Sequence, residues 1–160
     1  PNSGEVVEAV NFNDPNQTVI AGSKTAVEQA MAVIKAAGAK RALPLPVSAP
    51  FHSSLMRPAA EKLATYLASV SLLPPQIPVL NNIDVAAPTD PIAIKDALVR
   101  QAFGPVRWVE SVQTLASNGV TKMVECGPGK VLTGMVKRIA PTVVAVCAYD
   151  PPSLAEALAA

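Results

Sequence analysis

Pro46-Val47-Ser48-Ala49-Pro50-Phe51-His52-Ser53-Ser54-Leu55-Met56 joins a proline-rich extended run to the start of an apolar helix, and it holds the only histidine of the chain. Pro44, Pro46 and Pro50 bias the residues before them toward extended backbone. Ser53 and Ser54 are good N-cap residues for the helix that follows. His52 therefore falls at a strand-to-helix corner, where a side chain can be fixed and still face a cleft. A lone histidine is more often a surface or satisfied core residue than a catalytic one, so the residues alone leave both readings open.

Upstream of this corner the order is strand, strand, helix, strand. Val6–Phe12 alternates as a strand, Asn13-Asp14-Pro15-Asn16 has turn residues, and Gln17–Ala21 makes a second strand. Ser23 caps a helix with Val27, Ala30, Met31, Val33 and Ile34 at helical spacing, Gly38 stops it, and Lys40–Leu45 extends again. That order is a β-α-β-β-α-β ferredoxin-like unit without its first strand and helix. Residues 1–47 are thus expected to be the remnant of a small ferredoxin-like subdomain that needs further chain to complete its sheet. Pro1-Asn2-Ser3-Gly4 reads as a loop, and the chain as a piece of a longer protein.

Downstream, longer helices alternate with short apolar strands. Ser53 to about Val70 is expected as one helix, Pro78–Asn82 as a short strand, and Asp90-Pro91 as the cap and first turn of a helix reaching Phe103. Gly104-Pro105 breaks it. Trp108–Ser117 is a helix, Val120–Glu125 a strand, Val131–Ile139 a helix, Thr142–Ala148 a strand, and Ser153 onward a terminal helix. This alternation predicts an α/β fold with a mostly parallel sheet covered on both faces.

Composition excludes several function classes. The 160 residues are half apolar with a net charge of only +1, which disfavours nucleic-acid binding by bulk charge. No apolar run reaches about 18 residues, so neither membrane nor secretion is expected and a cytoplasmic location is. Cys126 and Cys147 lack metal-ligand spacing, and no metal site is expected. Gly127-Pro128-Gly129-Lys130 sits between strand and helix, but Val124 and Val131 occupy the glycine and serine/threonine places of a phosphate-binding loop, and Leu132 the third glycine of a dinucleotide fingerprint. A tight turn is the plainer reading. Gln101 precedes the Gly104-Pro105 break; carbonyls near a helix C-terminus lack intrahelical partners, so its oxygen can receive a bond from an imidazole. Lys40-Arg41 and Lys137-Arg138 are basic pairs, usually plain surface. Asn11 and Asn13 bracket Phe12 at the hairpin, where turn roles are commoner than ligand contacts.

Leu43-Pro44-Leu45-Pro46-Val47-Ser48-Ala49-Pro50-Phe51-His52-Ser53, Leu98-Val99-Arg100-Gln101 and Glu125-Cys126-Gly127-Pro128-Gly129-Lys130-Val131-Leu132 together closely resemble the malonyl-CoA:acyl-carrier-protein transacylases of bacterial fatty-acid synthesis, as do Asn11-Phe12-Asn13 and Val19-Ile20-Ala21-Gly22. The resemblance implies an α/β-hydrolase-like domain with an inserted ferredoxin-like subdomain, residues 48–160 being the C-terminal part of the large subdomain. It implies malonyl transfer from coenzyme A to the phosphopantetheine thiol of acyl carrier protein through a seryl ester, with no cofactor of the enzyme's own. His52 matches the base and Gln101 the residue whose backbone oxygen orients it. Phe51 resembles the aromatic of malonyl-selective members, although a core phenylalanine is as good a reading. Asn11 and Asn13 are carried as substrate contacts, and Lys40, Arg41, Lys137 and Arg138 as docking residues for the acidic carrier. The Gly-His-Ser-Leu-Gly nucleophile motif and the arginine that grips malonyl are absent, so the resemblance implies a partner: the N-terminal half of the same enzyme. A non-catalytic fragment that packs or docks on carrier protein, and an excised polyketide-synthase acyltransferase domain, are the other readings.

Overall fold

A computed structural model describes residues 4–159; the expected loop at Pro1–Ser3 lies outside them. The elements are β1 (Val7–Asp14), β2 (Gln17–Gly22), α1 (Lys24–Ala36), a 3-10 turn (Ser54–Met56), α2 (Arg57–Ala68), α3 (Pro91–Gln101), α4 (Trp108–Ser117), β3 (Lys122–Cys126), α5 (Val131–Ile139), β4 (Val144–Ala148) and α6 (Pro151–Ala159). The fold is α/β. The chain divides into two compact units, one running through Phe12 and then Thr18–Arg107, the other comprising Asn13–Gln17 and the chain from Trp108 onward. The boundary expected after residue 47 falls inside the first of these.

In the first unit β1 and β2 pair as the expected hairpin. Ser23 precedes α1 in extended conformation but does not cap it; its Oγ accepts from the Val6 N–H at 3.2 Å. Gly38, at φ +98°, closes α1 in the left-handed conformation that glycine adopts without a Cβ clash, and Ala39 N–H reaches back to Ile34 O at 3.1 Å. The run Lys40–Leu45 forms no strand. Pro44 and Pro46 have no N–H to give a ladder, and Leu43 and Leu45 are 70% and 55% exposed. Pro78–Asn82 forms none either, because the Asn81 N–H is used within its own loop on Ala86 O, 2.9 Å away. Pro58 holds the first turn of α2, so the helix expected from Ser53 begins at Arg57 after a tighter turn. Asp90 caps α3 as expected, accepting the Ala93 N–H at 2.9 Å. α3 stops two residues before the expected Phe103, since Ala102 and Phe103 donate to Val99 and Arg100 in tightened three-residue turns. α2 packs on α3.

In the second unit β3 and β4 are parallel, with Met123 opposite Ala145 and Glu125 opposite Cys147. Period-two alternation sends Met123 and Ala145 into a core with Val112, Val136, Ala140 and Val143. Val124 and Val144, on the opposite face, are 42% and 51% exposed. The sheet is thus parallel as expected and, among the described residues, two-stranded, with α5 packed on both strands and α6 on β4. Arg138 Nε donates to the buried Asp14 Oδ2 at 2.9 Å. Cys126 is exposed and Cys147 buried, both as free thiols.

Candidate active site

His52 occupies the corner between the extended run and the 3-10 turn, half-buried, with φ +65°. A non-glycine residue there suffers a clash between Cβ and backbone that costs about 1–2 kcal/mol, so the neighbours must hold it. Ser53 is completely buried; its N–H and Oγ–H both donate to Pro50 O, at 3.2 and 2.7 Å, closing a turn around Phe51 and His52. Ser54 is held from a strand 46 residues away: its N–H donates to Glu8 Oε2 at 2.8 Å and its Oγ–H to Glu8 Oε1 at 2.6 Å.

The imidazole Nδ1 lies 2.9 Å from Gln101 O. A carbonyl oxygen only accepts, so Nδ1 carries the hydrogen and, in the neutral ring, Nε2 carries the lone pair. The oxygen is free for a reason written in the sequence. The regular helical donor to residue 101 would be the N–H of residue 105, and residue 105 is proline. The Gln101 side chain folds over the same helix end, Nε2 donating to Gly104 O and Pro105 O at 3.1 and 3.2 Å. Gly104 has no room for a side chain: a Cβ would strike Ile83 Cδ1 and come within 2.9 Å of Arg100 O. Beside Gln101 lies an apolar hollow of about 420 Å³ lined by Leu72, Val79, Ala97 and Leu98.

His52 and Gln101, expected together, are in contact. Phe51 is exposed beside His52. Asn11 is half-buried on β1, where its strand meets Val106 through the Phe12 N–H to Val106 O bond at 3.0 Å. Lys40 and Arg41 are exposed in the first unit; Asn13, Lys137 and Arg138 belong to the second, where Arg138 is committed to Asp14. Sequence reasoning missed Glu8 and the part played by Pro105. For Glu8 the one available signal is its charge within the apolar run Val6-Val7-Glu8-Ala9-Val10.

The turn before α5 is filled from within. Glu125 accepts from the Leu132 N–H at 3.2 Å, the Thr133 N–H at 2.7 Å and the Thr133 hydroxyl at 2.7 Å. Burial pushes its carboxyl up, but these donors outweigh it and leave the group below its ordinary pKa. The place a phosphate takes at a helix N-terminus is held by the protein's own carboxylate.

No protein-family model matches the chain. Malonyl CoA-acyl carrier protein transacylases of Salmonella typhimurium and Escherichia coli strain K12 are 57% and 56% identical to it over 155 residues, 97% of its length. The chain is thus similar to one part of the malonyl CoA-acyl carrier protein transacylases. It spans about half the length of the curated relatives it matches, 50% of each of these two. Among solved structures, an acyl-carrier-protein S-malonyltransferase of Burkholderia pseudomallei is 63% identical with a TM-score of 0.96, over 98% of this chain and 51% of that one. A malonyl-transacylase in complex with its type II PKS acyl-carrier protein is 52% identical with a TM-score of 0.96, again over 98% and 51%.

Proposed function

We propose that the chain supplies the base side of an active site that moves a malonyl group from coenzyme A to the phosphopantetheine thiol of an acyl carrier protein, the serine nucleophile standing on the remaining half of a full-length transacylase. The observation that carries this reading is the Nδ1 to Gln101 O contact of 2.9 Å, which leaves Nε2 as a proton acceptor. A serine hydroxyl is a weak nucleophile until a base removes its proton during attack. Nε2 takes that proton as serine Oγ bonds to the thioester carbonyl carbon. The carbon–sulfur bond then breaks and the departing coenzyme A thiolate takes the proton from the imidazolium. In the second half the carrier's thiol gives its proton to Nε2, its sulfur bonds to the malonyl carbonyl carbon, and the leaving serine oxygen is reprotonated. A neutral peptide oxygen holds the tautomer through both halves without adding a buried charge.

Phe51, exposed beside the imidazole, would crowd an α-methyl branch, a discrimination worth about 1–3 kcal/mol. Asn11 and Asn13 are assigned to substrate, and Lys40, Arg41 and Lys137 to an acidic carrier, where such charges raise on-rate and weaken with salt; Arg138, bonded to Asp14, contributes less freely. Residues 1–47 are assigned to a ferredoxin-like subdomain and 48–160 to an α/β-hydrolase-like one. No helix among the described residues is long and apolar enough to cross a membrane. The test is His52→Ala in the full-length protein carrying this chain: malonyl transfer should fall at least about a hundredfold, and near-native turnover rejects the reading.

A further inference from the structure

We infer that Glu8 is a positioning residue for His52, an inference that rests on the reading of His52 as the base. The left-handed backbone at His52 persists only where its surroundings over-determine it. On the N-terminal side the anchor is local, Ser53 bonding back to Pro50. On the C-terminal side the 3-10 turn closes locally, with the Met56 N–H on Ser53 O at 3.0 Å, and Glu8 adds a hold from a distant strand: both its carboxylate oxygens are spent on one residue, Ser54, one on its N–H and one on its hydroxyl. Two bonds to one residue fix orientation as well as distance. Because Glu8 sits on β1, it ties the corner to the hairpin sheet, while the Gln101 oxygen ties the ring to α3. Ring and backbone are thus fixed by different elements, and loss of the Glu8 clamp lets the backbone leave φ +65° and swing Nε2 off its target.

The role is geometric, and glutamine can reproduce it. In Glu8→Gln the amide oxygen would accept the Ser54 N–H, and the amide NH₂ would donate to Ser54 Oγ, which accepts as readily as it donates. In the full-length protein, Glu8→Ala should lower kcat about 10- to 100-fold, the size of loss that a displacement of order 1 Å brings, with KM for malonyl-CoA changed less than about threefold. Glu8→Gln should return kcat to within about threefold of the parent, with the pH–rate midpoint unmoved. If Glu8→Ala fails to fold, Ser54→Ala, which keeps the N–H bond and removes the hydroxyl bond, should give a smaller fall in kcat, and parental kcat there overturns the inference. A folded Glu8→Gln as impaired as Glu8→Ala, or with a moved pH midpoint, also overturns it, because charge rather than geometry would then be at work. Parental kcat in Glu8→Ala beside an inactive His52→Ala sinks this inference alone; parental kcat in both sinks the reading of His52 as base.

Discussion

Replacing Glu125 tests how the Glu125–Val131 turn is held. Lys130, the residue before α5, makes no capping bond, so the first turn of the helix relies on the Glu125 carboxylate. Glu125→Ala removes three bonds. The Thr133 hydroxyl keeps Val146 O at 3.2 Å, which leaves the Leu132 and Thr133 N–H groups to find water. At about 1 kcal/mol for each N–H, and about 0.5 kcal/mol for a negative charge lost from a helix N-terminus, the alanine variant should be about 2–3 kcal/mol less stable. Glu125→Gln keeps an oxygen for the Thr133 N–H and loses the charge, so about 1 kcal/mol is expected, or about 1–2 °C in melting temperature for a full-length protein about twice this length. The folded carboxyl lies below its ordinary pKa, so its contribution is complete above the ordinary carboxylate range and disappears as pH falls through the folded value. Calorimetric melts of the full-length protein and its glutamine variant should therefore differ at neutral pH and converge as the pH is lowered through the titration of the folded carboxyl. A gap that stays the same size down to the acid limit of folding, or no gap at neutral pH, refutes the assignment.

Gln101→Ala removes the side-chain bonds to Gly104 and Pro105 but leaves the peptide oxygen, so kcat should fall less than about tenfold; a loss as deep as that of His52→Ala in the same transfer assay would place the orienting role on the side chain. Gly104→Ala forces Ile83 and the Arg100 carbonyl apart. It should destabilise by about 1–3 kcal/mol and, by shifting the residue next to Gln101, lower turnover further than the melting temperature alone explains; parental turnover with parental stability would show that the helix end has slack.

Where structure is set within a few residues, the sequence was readable. Asp90-Pro91 announces the start of α3, and α4 and α5 occupy the expected Trp108–Ser117 and Val131–Ile139, because caps, breakers and periodicity act locally. Lys40–Leu45 and Pro78–Asn82 read as strands and are not, since local sequence encodes extended backbone while a strand also needs a neighbour to bond. The contact between His52 and Gln101 was legible through the family motifs together with a helix about to break. Glu8 was not, because nothing in a strand's alternation tells which carboxylate will reach a corner 46 residues later.

The backbone of His52 bears on how this position drifts over generations. At φ +65° glycine is at ease, while histidine, like asparagine, is among the side chains that tolerate the conformation best and still bears its cost. A lineage screened only for heat resistance would gain by giving the imidazole up. Selection for stability alone and selection for a working imidazole therefore pull position 52 in opposite directions.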